Sequence, residues 1–299
     1  MTGGLNPLSL LSSILLGLIQ GLAEFLPISS SGHLAIAEHF LGQAGVPATP
    51  DFFDVLLHLG TLVAVFAAYW QDIRDMIVEL IDGVRDLVRG TTPNPIPPAR
   101  RMILLIIVGT LPLFVVLPVK DLVEGLSGNI YFVAGALIVT GFLLFASDRV
   151  KKGRKTERSA KLLDVLLVCP CTGNTLAKLL VGIAQAIATC PGISRSGTTI
   201  TAGCFVGFDR KFAVRFSFLL SIPAVLGANI LTLKDAIQEN SIIVSDIPVY
   251  LVGVAVAAVV GYICIRLLKM IADKGKFGWF AYYCWAVGLI VLALTLVLK

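Results

Sequence analysis

Long apolar runs separated by short polar stretches set the pattern of this chain. A helix that crosses the hydrocarbon core needs about 20 apolar residues, with a range of about 17–25. Six segments satisfy this: 52–70, 102–119, 129–148, 212–231, 248–268 and 277–298. Four further runs do not pair off so simply. Residues 8–26 are long enough, but 33–42 spans only ten residues, and 176–190 and 198–208 are both short. The pattern predicts two helix–loop–helix hairpins, over 8–42 and 176–208, with the new helix of the first starting near His33. Each would enter the membrane and turn back, which irregular backbone tolerates only where protein buries it or it lines a wet cavity. Residues 71–90, where Asp and Arg alternate with Ile, Val and Leu, predict an amphipathic helix at the interface.

The two hairpins share a sequence. Gly17-Leu-Ile-Gln20-Gly-Leu-Ala-Glu24-Phe-Leu-Pro27-Ile-Ser29-Ser30-Ser31-Gly32-His33 returns 165 residues later as Gly182-Ile-Ala-Gln185-Ala-Ile-Ala-Thr189-Cys-Pro191-Gly-Ile193-Ser194-Arg195-Ser196-Gly197-Thr198. At that offset Gly17, Gln20, Ile28, Ser29, Ser31 and Gly32 meet identical residues without a gap. A Gln repeated inside an apolar run is not a compositional accident, and the pattern reads as an internal duplication. The copies differ where chemistry would need them to: Glu24 and His33 become Thr189 and Thr198, and Ser30 becomes Arg195.

Composition fixes the class. Of the 299 residues 57% are hydrophobic and only 14% charged, with a mean hydropathy of +0.89. Soluble domains carry about 25% charged residues, so an integral membrane protein is expected. The net charge of +5 sits in loops between spans, and no nucleic-acid partner is expected. The N-terminus lacks a basic n-region and a small-residue cleavage site, so no cleavable signal peptide is expected. The six cysteines lie in or beside apolar segments, and Cys169-Pro-Cys171 has neither the spacing nor the partners of a zinc pair.

Positive charge orients the spans. Five Lys/Arg fall in 71–101, seven in 149–161, four in 266–276 and two at Arg210-Lys211, against one each in 120–128 and 232–247 and none in 43–51. The four basic loops share one side only if both hairpins are re-entrant. The fold expected is therefore an all-α integral membrane protein, an inverted repeat of two halves with about ten helices in total. Each half has one re-entrant hairpin and three transmembrane helices. The first half covers 1–148, a basic cytoplasmic linker 149–161, and the second half 162–299, with both termini outside the cytoplasm. Sites in such folds lie at the repeat interface.

The two loops carry the candidate chemistry. Gln20 and Glu24 are i and i+4 and share a helix face, and a carboxylate within a membrane helix marks function. Pro27 breaks the helix, and Ser29-Ser30-Ser31-Gly32 leads into the next one. Free N–H groups at a helix start, with Gly allowing close approach, make an anion site. Ser194-Arg195-Ser196-Gly197 followed by Thr198-Thr199 repeats the design around an arginine, whose planar fork suits phosphate. Two such loops face to face would hold two linked phosphates. Ser30 or a neighbouring hydroxyl could attack phosphorus with His33 taking its proton; alternatively His33 attacks, or activates water. Glu24 could ligate Mg²⁺ or Ca²⁺ or orient the base. Asp54 and His58, another i,i+4 pair, are candidates for the same cavity or for a structural role; Arg215 is an intramembrane cation in need of a partner; His39 is expected to be solvated.

These loops resemble the signature regions of the undecaprenyl pyrophosphate phosphatase family, the bacitracin-resistance type of integral membrane enzyme. Gln20-Gly-Leu-Ala-Glu24, Ser29-Ser-Ser-Gly-His33 and Pro191-Gly-Ile-Ser-Arg-Ser-Gly-Thr-Thr199 all match its patterns. The resemblance implies an enzyme of the bacterial inner membrane that removes the terminal phosphate of undecaprenyl pyrophosphate. That reaction recycles the carrier for peptidoglycan synthesis and confers resistance to bacitracin, which competes for the same lipid. It further implies a site open to the periplasm and dependence on a divalent cation, Mg²⁺ or Ca²⁺, for which Glu24 is the candidate ligand if it does not instead orient the base. By position, Glu24, Ser30, His33 and Arg195 are the catalytic candidates. Gln20, Ser29, Ser31, Gly32, Ser194, Ser196, Gly197 and Thr199 are the substrate-binding ones. The competing class is a polyprenyl-phosphate carrier using the same anion site; homo-oligomerisation is left open.

Overall fold

The computed structural model describes residues 9–43, 45, 50–91, 93–166, 181–238, 244–274 and 276–297. Both chain ends, Cys169, Cys171 and the start of the second hairpin at 176–180 lie outside the described residues, so the expectations about them do too. The described residues are almost entirely helical, and the one β-bridge joins Lys155 to Phe208.

The chain runs α1 (Leu10–Phe25), α2 (Ser30–Gln43), α3 (Asp51–Ala68), α4 (Trp70–Arg89) and α5 (Pro98–Thr110). After short 3-10 turns come α6 (Lys120–Gly125), α7 (Ile130–Arg149), α8 (Leu162–Leu166), α9 (Val181–Ile187) and α10 (Arg195–Phe205). Three long helices complete it: α11 (Arg210–Gln238), α12 (Ile247–Lys274) and α13 (Gly278–Val297). Among the described residues, five stretches are long and apolar enough to cross a membrane, or up to six counting the bent α3–α4 pair. Large apolar side chains such as Leu11, Val63, Phe142, Ile263 and Leu289 cover their outer faces, as expected where the surrounding solvent is lipid. The protein is a multi-pass membrane protein.

The apolar pattern located the spans closely, and the departures have local causes. The run 102–119 is not one helix. It stops at Thr110 and continues as 3-10 turns at Leu111–Val115 and Leu117–Val119, because Pro112 and Pro118 lack the N–H and clash with the preceding turn. The helix after the first loop begins at Ser30 rather than near His33, so the serines form its first turn. At Tyr69 the chain bends by 83° into α4, the orientation of an interfacial helix. Lys269 secures the bend, donating to Ala68 O at 3.0 Å with its ammonium 3.6 Å from the Tyr69 ring centroid. Arg100 ties α4 to α5 through Glu79 at 3.1 Å and Asp86 at 2.8 Å.

Helices in lipid gain little from apolar burial against one another, so close van der Waals packing through small residues does the work. α1 lies on α12, α12 on α3, α11 on α3, and α7 on α13. A Cβ at Gly17 would meet Gly253 O at 2.5 Å, so the α1 and α12 backbones touch with no side chain between them. The main apolar core lies deep to α1, where Phe25 meets Phe218 edge-on with centroids 5.4 Å apart. The residue before Phe25 is Glu24, so the carboxylate is anchored directly to that core. On the basic-loop side, Asp148 joins three helix ends. It accepts from Phe277 N at 3.0 Å, from Gly278 N at 2.6 Å and from Arg210 at 3.0 Å.

The α1–α12 contact therefore predicts a contrast between two glycines. Gly17→Val will lower the thermal stability of the detergent-solubilised protein, by about 1–3 kcal/mol for an overpacked site. Gly227→Ala in α11, where a Cβ meets nothing within 4 Å, will leave it unchanged or raise it by about 0.4–1 kcal/mol. Equal effects at both positions in a thermal unfolding series would refute the packing argument.

Candidate active site

Both copies of the duplicated loop fold the same way. Ser29 Oγ accepts from Gly32 N at 3.2 Å and Ser194 Oγ from Gly197 N at 3.1 Å, each capping the helix that follows. Ser29 and Ser31 hydroxyls lie 3.4 Å apart, and their counterparts Ser194 and Ser196 3.3 Å apart. The copies differ at the turn residue itself: Ser29 sits at φ 73°, whereas Ser194 is extended at φ −71°. A non-glycine residue in the left-handed region is strained by about 1–2 kcal/mol. Here two bonds to the Ser29 carbonyl offset it, from His33 N at 3.2 Å and His33 Nδ1 at 2.8 Å.

The two loops meet. A Cβ at Gly32 would lie 2.9 Å from Gly192 Cα, and one at Gly197 would lie 3.2 Å from Pro27 Cβ. Ser196 Oγ reaches Leu26 O at 3.5 Å. Thr140 of α7 braces the second loop, donating to Gly192 O and accepting from Ser194 N, both at 3.1 Å. Cys284 of α13 lies behind Pro27, its Sγ 4.0 Å from the Pro27 carbonyl.

At the junction sits one carboxylate surrounded by donors. Arg195, from the start of α10, donates through Nη2 to Glu24 Oε1, from the end of α1. Glu24 Oε2 accepts from Ser30 Oγ at 2.5 Å and from Gln20 Nε2 at 3.2 Å, and His58 Nε2 of α3 lies 3.9 Å away. The Glu24 side chain is 7% exposed and Arg195 24%, so the pair is buried but reachable from the Arg195 side. Ser31 is exposed and Ser30 partly so. The first N–H groups of α2 and α10, at Ser30, Ser31, Arg195 and Ser196, have no partner within their own helices. A negatively charged group entering here meets a guanidinium, two helix starts and a hydroxyl already bonded to a base.

The sequence candidates distribute unevenly over this geometry. Gln20, Glu24, Ser30 and Arg195 form the central cluster, while Ser29, Gly32, Ser194, Ser196 and Gly197 build the two caps. Thr199 is engaged elsewhere: its hydroxyl donates to Arg195 O at 2.8 Å and lies 2.6 Å from Ser217 Oγ of α11, steadying the turn that carries Arg195. Ser30 donates to Glu24 and not to His33, whose Nε2 lies 3.0 Å from the Tyr283 hydroxyl of α13. His58 belongs to the site and Arg215 does not: Arg215 pairs with Asp72 of α4 at 3.0 Å and reaches Glu157 of the linker at 4.0 Å. His39 is bonded on the surface to Gln43. Thr140, Ser217 and Tyr283 carry no sequence signal of their own, because each sits in an apolar span and meets its partner on a distant helix or loop. Among the described residues no group of three or more His, Cys, Asp or Glu is placed to hold a metal ion. Glu24 has donors on both its oxygens, so any cation would have to be held chiefly by the ligand's own oxygens.

A helical membrane protein with a paired carboxylate, arginine and serine between two capped loops defines a class, the membrane-embedded anion-handling proteins. Within it, the chain belongs to the family described as bacitracin resistance protein BacA, whose model matches residues 13–290. Similar proteins include the undecaprenyl-diphosphatase of Methanosphaera stadtmanae, 38% identical over 97% of this chain and 100% of that protein. The undecaprenyl-diphosphatases of Alkaliphilus metalliredigens (38% identical, 95% of this chain and 98% of that one) and Desulforapulum autotrophicum (39%, 95% and 97%) are equally close in length.

The Glu24–Arg195 pair predicts a characteristic stability cycle. Removing one member strands the other in a buried site, which costs about 3–5 kcal/mol, with the lower end expected because Arg195 is partly exposed. Glu24→Gln and Arg195→Gln will each lower the thermal midpoint, and the double variant will recover part of the loss. Additive losses in the double variant would show that the two charges do not stabilise each other.

Proposed function

We propose that this protein is a membrane phosphatase that hydrolyses undecaprenyl pyrophosphate to undecaprenyl phosphate and inorganic phosphate, recycling the carrier for peptidoglycan synthesis. Resistance to bacitracin, which binds the same lipid, follows from that activity. The observation that carries the reading is the contact of Ser30 and Arg195 with one carboxylate, each from a different copy of the duplicated loop. A carrier needs the anion site but not a serine hydroxyl already hydrogen-bonded to a base, and this favours hydrolysis over translocation alone.

The terminal phosphate enters between the starts of α2 and α10 and takes the guanidinium of Arg195 from Glu24. Ser30 Oγ attacks phosphorus while its proton passes to Glu24 Oε2, the atom to which it already donates. The bond from phosphorus to the bridging oxygen breaks, and the prenyl phosphate leaves. Glu24 returns that proton to the departing prenyl phosphate; water then attacks the phosphoserine and gives its proton to Glu24. The bond from phosphorus to Ser30 Oγ breaks as Glu24 passes the proton back to the serine oxygen and inorganic phosphate leaves. Gln20 and His58 hold Glu24 in place, and the helix starts and Arg195 stabilise the charge that gathers on the equatorial oxygens.

Charge balance supports a divalent cation. Once phosphate takes Arg195, the Glu24 carboxylate is left buried without its counter-ion, and a multiply charged anion has been added beside it. Mg²⁺ is commonly held by one or two carboxylates together with substrate phosphates. Glu24 is the residue that would ligate Mg²⁺ or Ca²⁺ here, and the ion would neutralise phosphate charge.

The lengths of α1 and α2, about 24 and 21 Å at 1.5 Å per residue, support re-entrant hairpins in a hydrocarbon core about 30 Å thick. In this reading residues 1–148 and 162–299 are inverted halves, each with one hairpin and three crossings, joined by the cytoplasmic linker 149–161. Both termini lie outside the cytoplasm and the site opens to the periplasm of a bacterial inner membrane. Homo-oligomerisation is compatible with this arrangement.

The test is phosphate release from undecaprenyl pyrophosphate by the purified protein in detergent with Mg²⁺. The wild type will turn over, and Arg195→Ala and Ser30→Ala will each lose at least about a hundredfold, the scale of losing one preorganised transition-state contact. A folded wild type that binds the lipid but releases no phosphate would sink the reading in favour of a carrier.

A further inference from the structure

Glu24, Ser30 and Arg195 all come from the duplicated stretches, but of the two groups that hold His33 only one does. Its Nδ1 lies 2.8 Å from Ser29 O, a carbonyl that can only accept, so Nδ1 carries the hydrogen. In the neutral ring Nε2 then presents a lone pair, and the Tyr283 hydroxyl 3.0 Å away is its donor. The two rings are within 10° of parallel, with centroids 5.6 Å apart. Tyr283 is itself held in register. Its neighbour Cys284 is fully buried in a cluster with Ala23, Ile28, Leu144 and Ala281, and Trp285 Nε1 donates to Ile138 O at 3.1 Å. Helix α13 therefore reads the first loop twice, at the Pro27 carbonyl through Cys284 and at His33 through Tyr283.

We propose that Tyr283 is a positioning residue of this site: its hydroxyl donates to His33 Nε2 and holds the imidazole in one tautomer and one plane beside the Ser29–Ser31 loop. Ser29 fixes one nitrogen and Tyr283 the other, so the ring presents a fixed edge to whatever the loop binds. On the phosphatase reading, on which this inference rests, a constrained neutral imidazole can order the water that cleaves the phosphoserine without adding a competing cation. A bland alternative exists, since a tyrosine on an apolar helix face commonly finds some partner for its hydroxyl. That role would make no use of His33.

Tyr283→Phe separates the two, because it keeps the ring and removes only the hydroxyl. Phosphate release will fall about tenfold in kcat, less than the roughly hundredfold or more of a proton-transfer group itself because Tyr283 acts only through His33, with KM changed less than about twofold. In a His33→Gln background the same substitution will have no further effect, because Tyr283 acts through His33. A second readout does not depend on turnover. The chain has three histidines, so ¹⁵N-histidine spectra of the detergent-solubilised protein can be assigned with His33→Gln. They will show Nδ1 protonated in His33 and its Nε2 resonance shifted by Tyr283→Phe. Unchanged turnover with an unchanged His33 spectrum, or losses that multiply independently in the double variant, would overturn the proposal. Should the wild type release no phosphate, the phosphatase reading fails, and the nitrogen spectra alone decide whether Tyr283 holds His33.

Discussion

The buried pair between Glu24 and Arg195 is the contact on which the rest of this structure depends. A carboxylate placed alone in an apolar helix is expensive, and so is a lone guanidinium at the same depth. Each is tolerable because the other is there, hydrogen-bonded to it with Glu24 buried and Arg195 partly exposed. The pair also joins the end of α1 to the start of α10, 171 residues apart in sequence. The geometry that balances the charges is thus the same geometry that builds a pocket between the two loops.

Holding two irregular loops face to face among apolar helices requires support on every side, and the helices around them supply it in different ways. On one side α1, α3 and α12 approach through glycines, where backbone contact replaces side-chain interdigitation. On another, α7 and α13 contribute single polar groups, with Thr140 bridging the second loop and Tyr283 and Cys284 contacting the first. Polar side chains on membrane helices are worth only modest free energies each. Their value here is directional, because they saturate the loop carbonyls and amides that lipid could not.

The duplication has kept the scaffold and divided the chemistry. Both copies keep the capping serine and the second glycine, since these make the turn into the helix and the close approach of the other loop. Freed from that task, the intervening position became a hydroxyl in one copy, Ser30, and a guanidinium in the other, Arg195. The two side chains now converge on Glu24. A symmetric pair of loops would have offered either two hydroxyls or two cations, and neither set would bring a hydroxyl, a carboxylate and a guanidinium to one point.

Much of this was legible in the chain alone. Hydropathy located the long helices because in lipid the length of an apolar run is itself the structural constraint. The gapless offset of 165 residues marked the two loops, and the substitutions between them singled out Glu24, Ser30, His33 and Arg195. The break of the 102–119 run was readable in principle from Pro112 and Pro118, which forbid a continuous helix whatever their surroundings. Other features were decided by packing. A sequence does not say which of two nearby acceptors a hydroxyl will choose, and only the rotation of α2 about its first turn gave Ser30 to Glu24 and turned His33 toward Tyr283. His58 was marked by its i,i+4 spacing from Asp54, but polar residues such as Thr140, Ser217 and Tyr283 carry no such local pattern, because what makes them part of the site is contact with a distant helix or loop. Spacing along one helix can be counted from the chain; the face that a neighbouring helix presents is set only when the close-packed bundle forms.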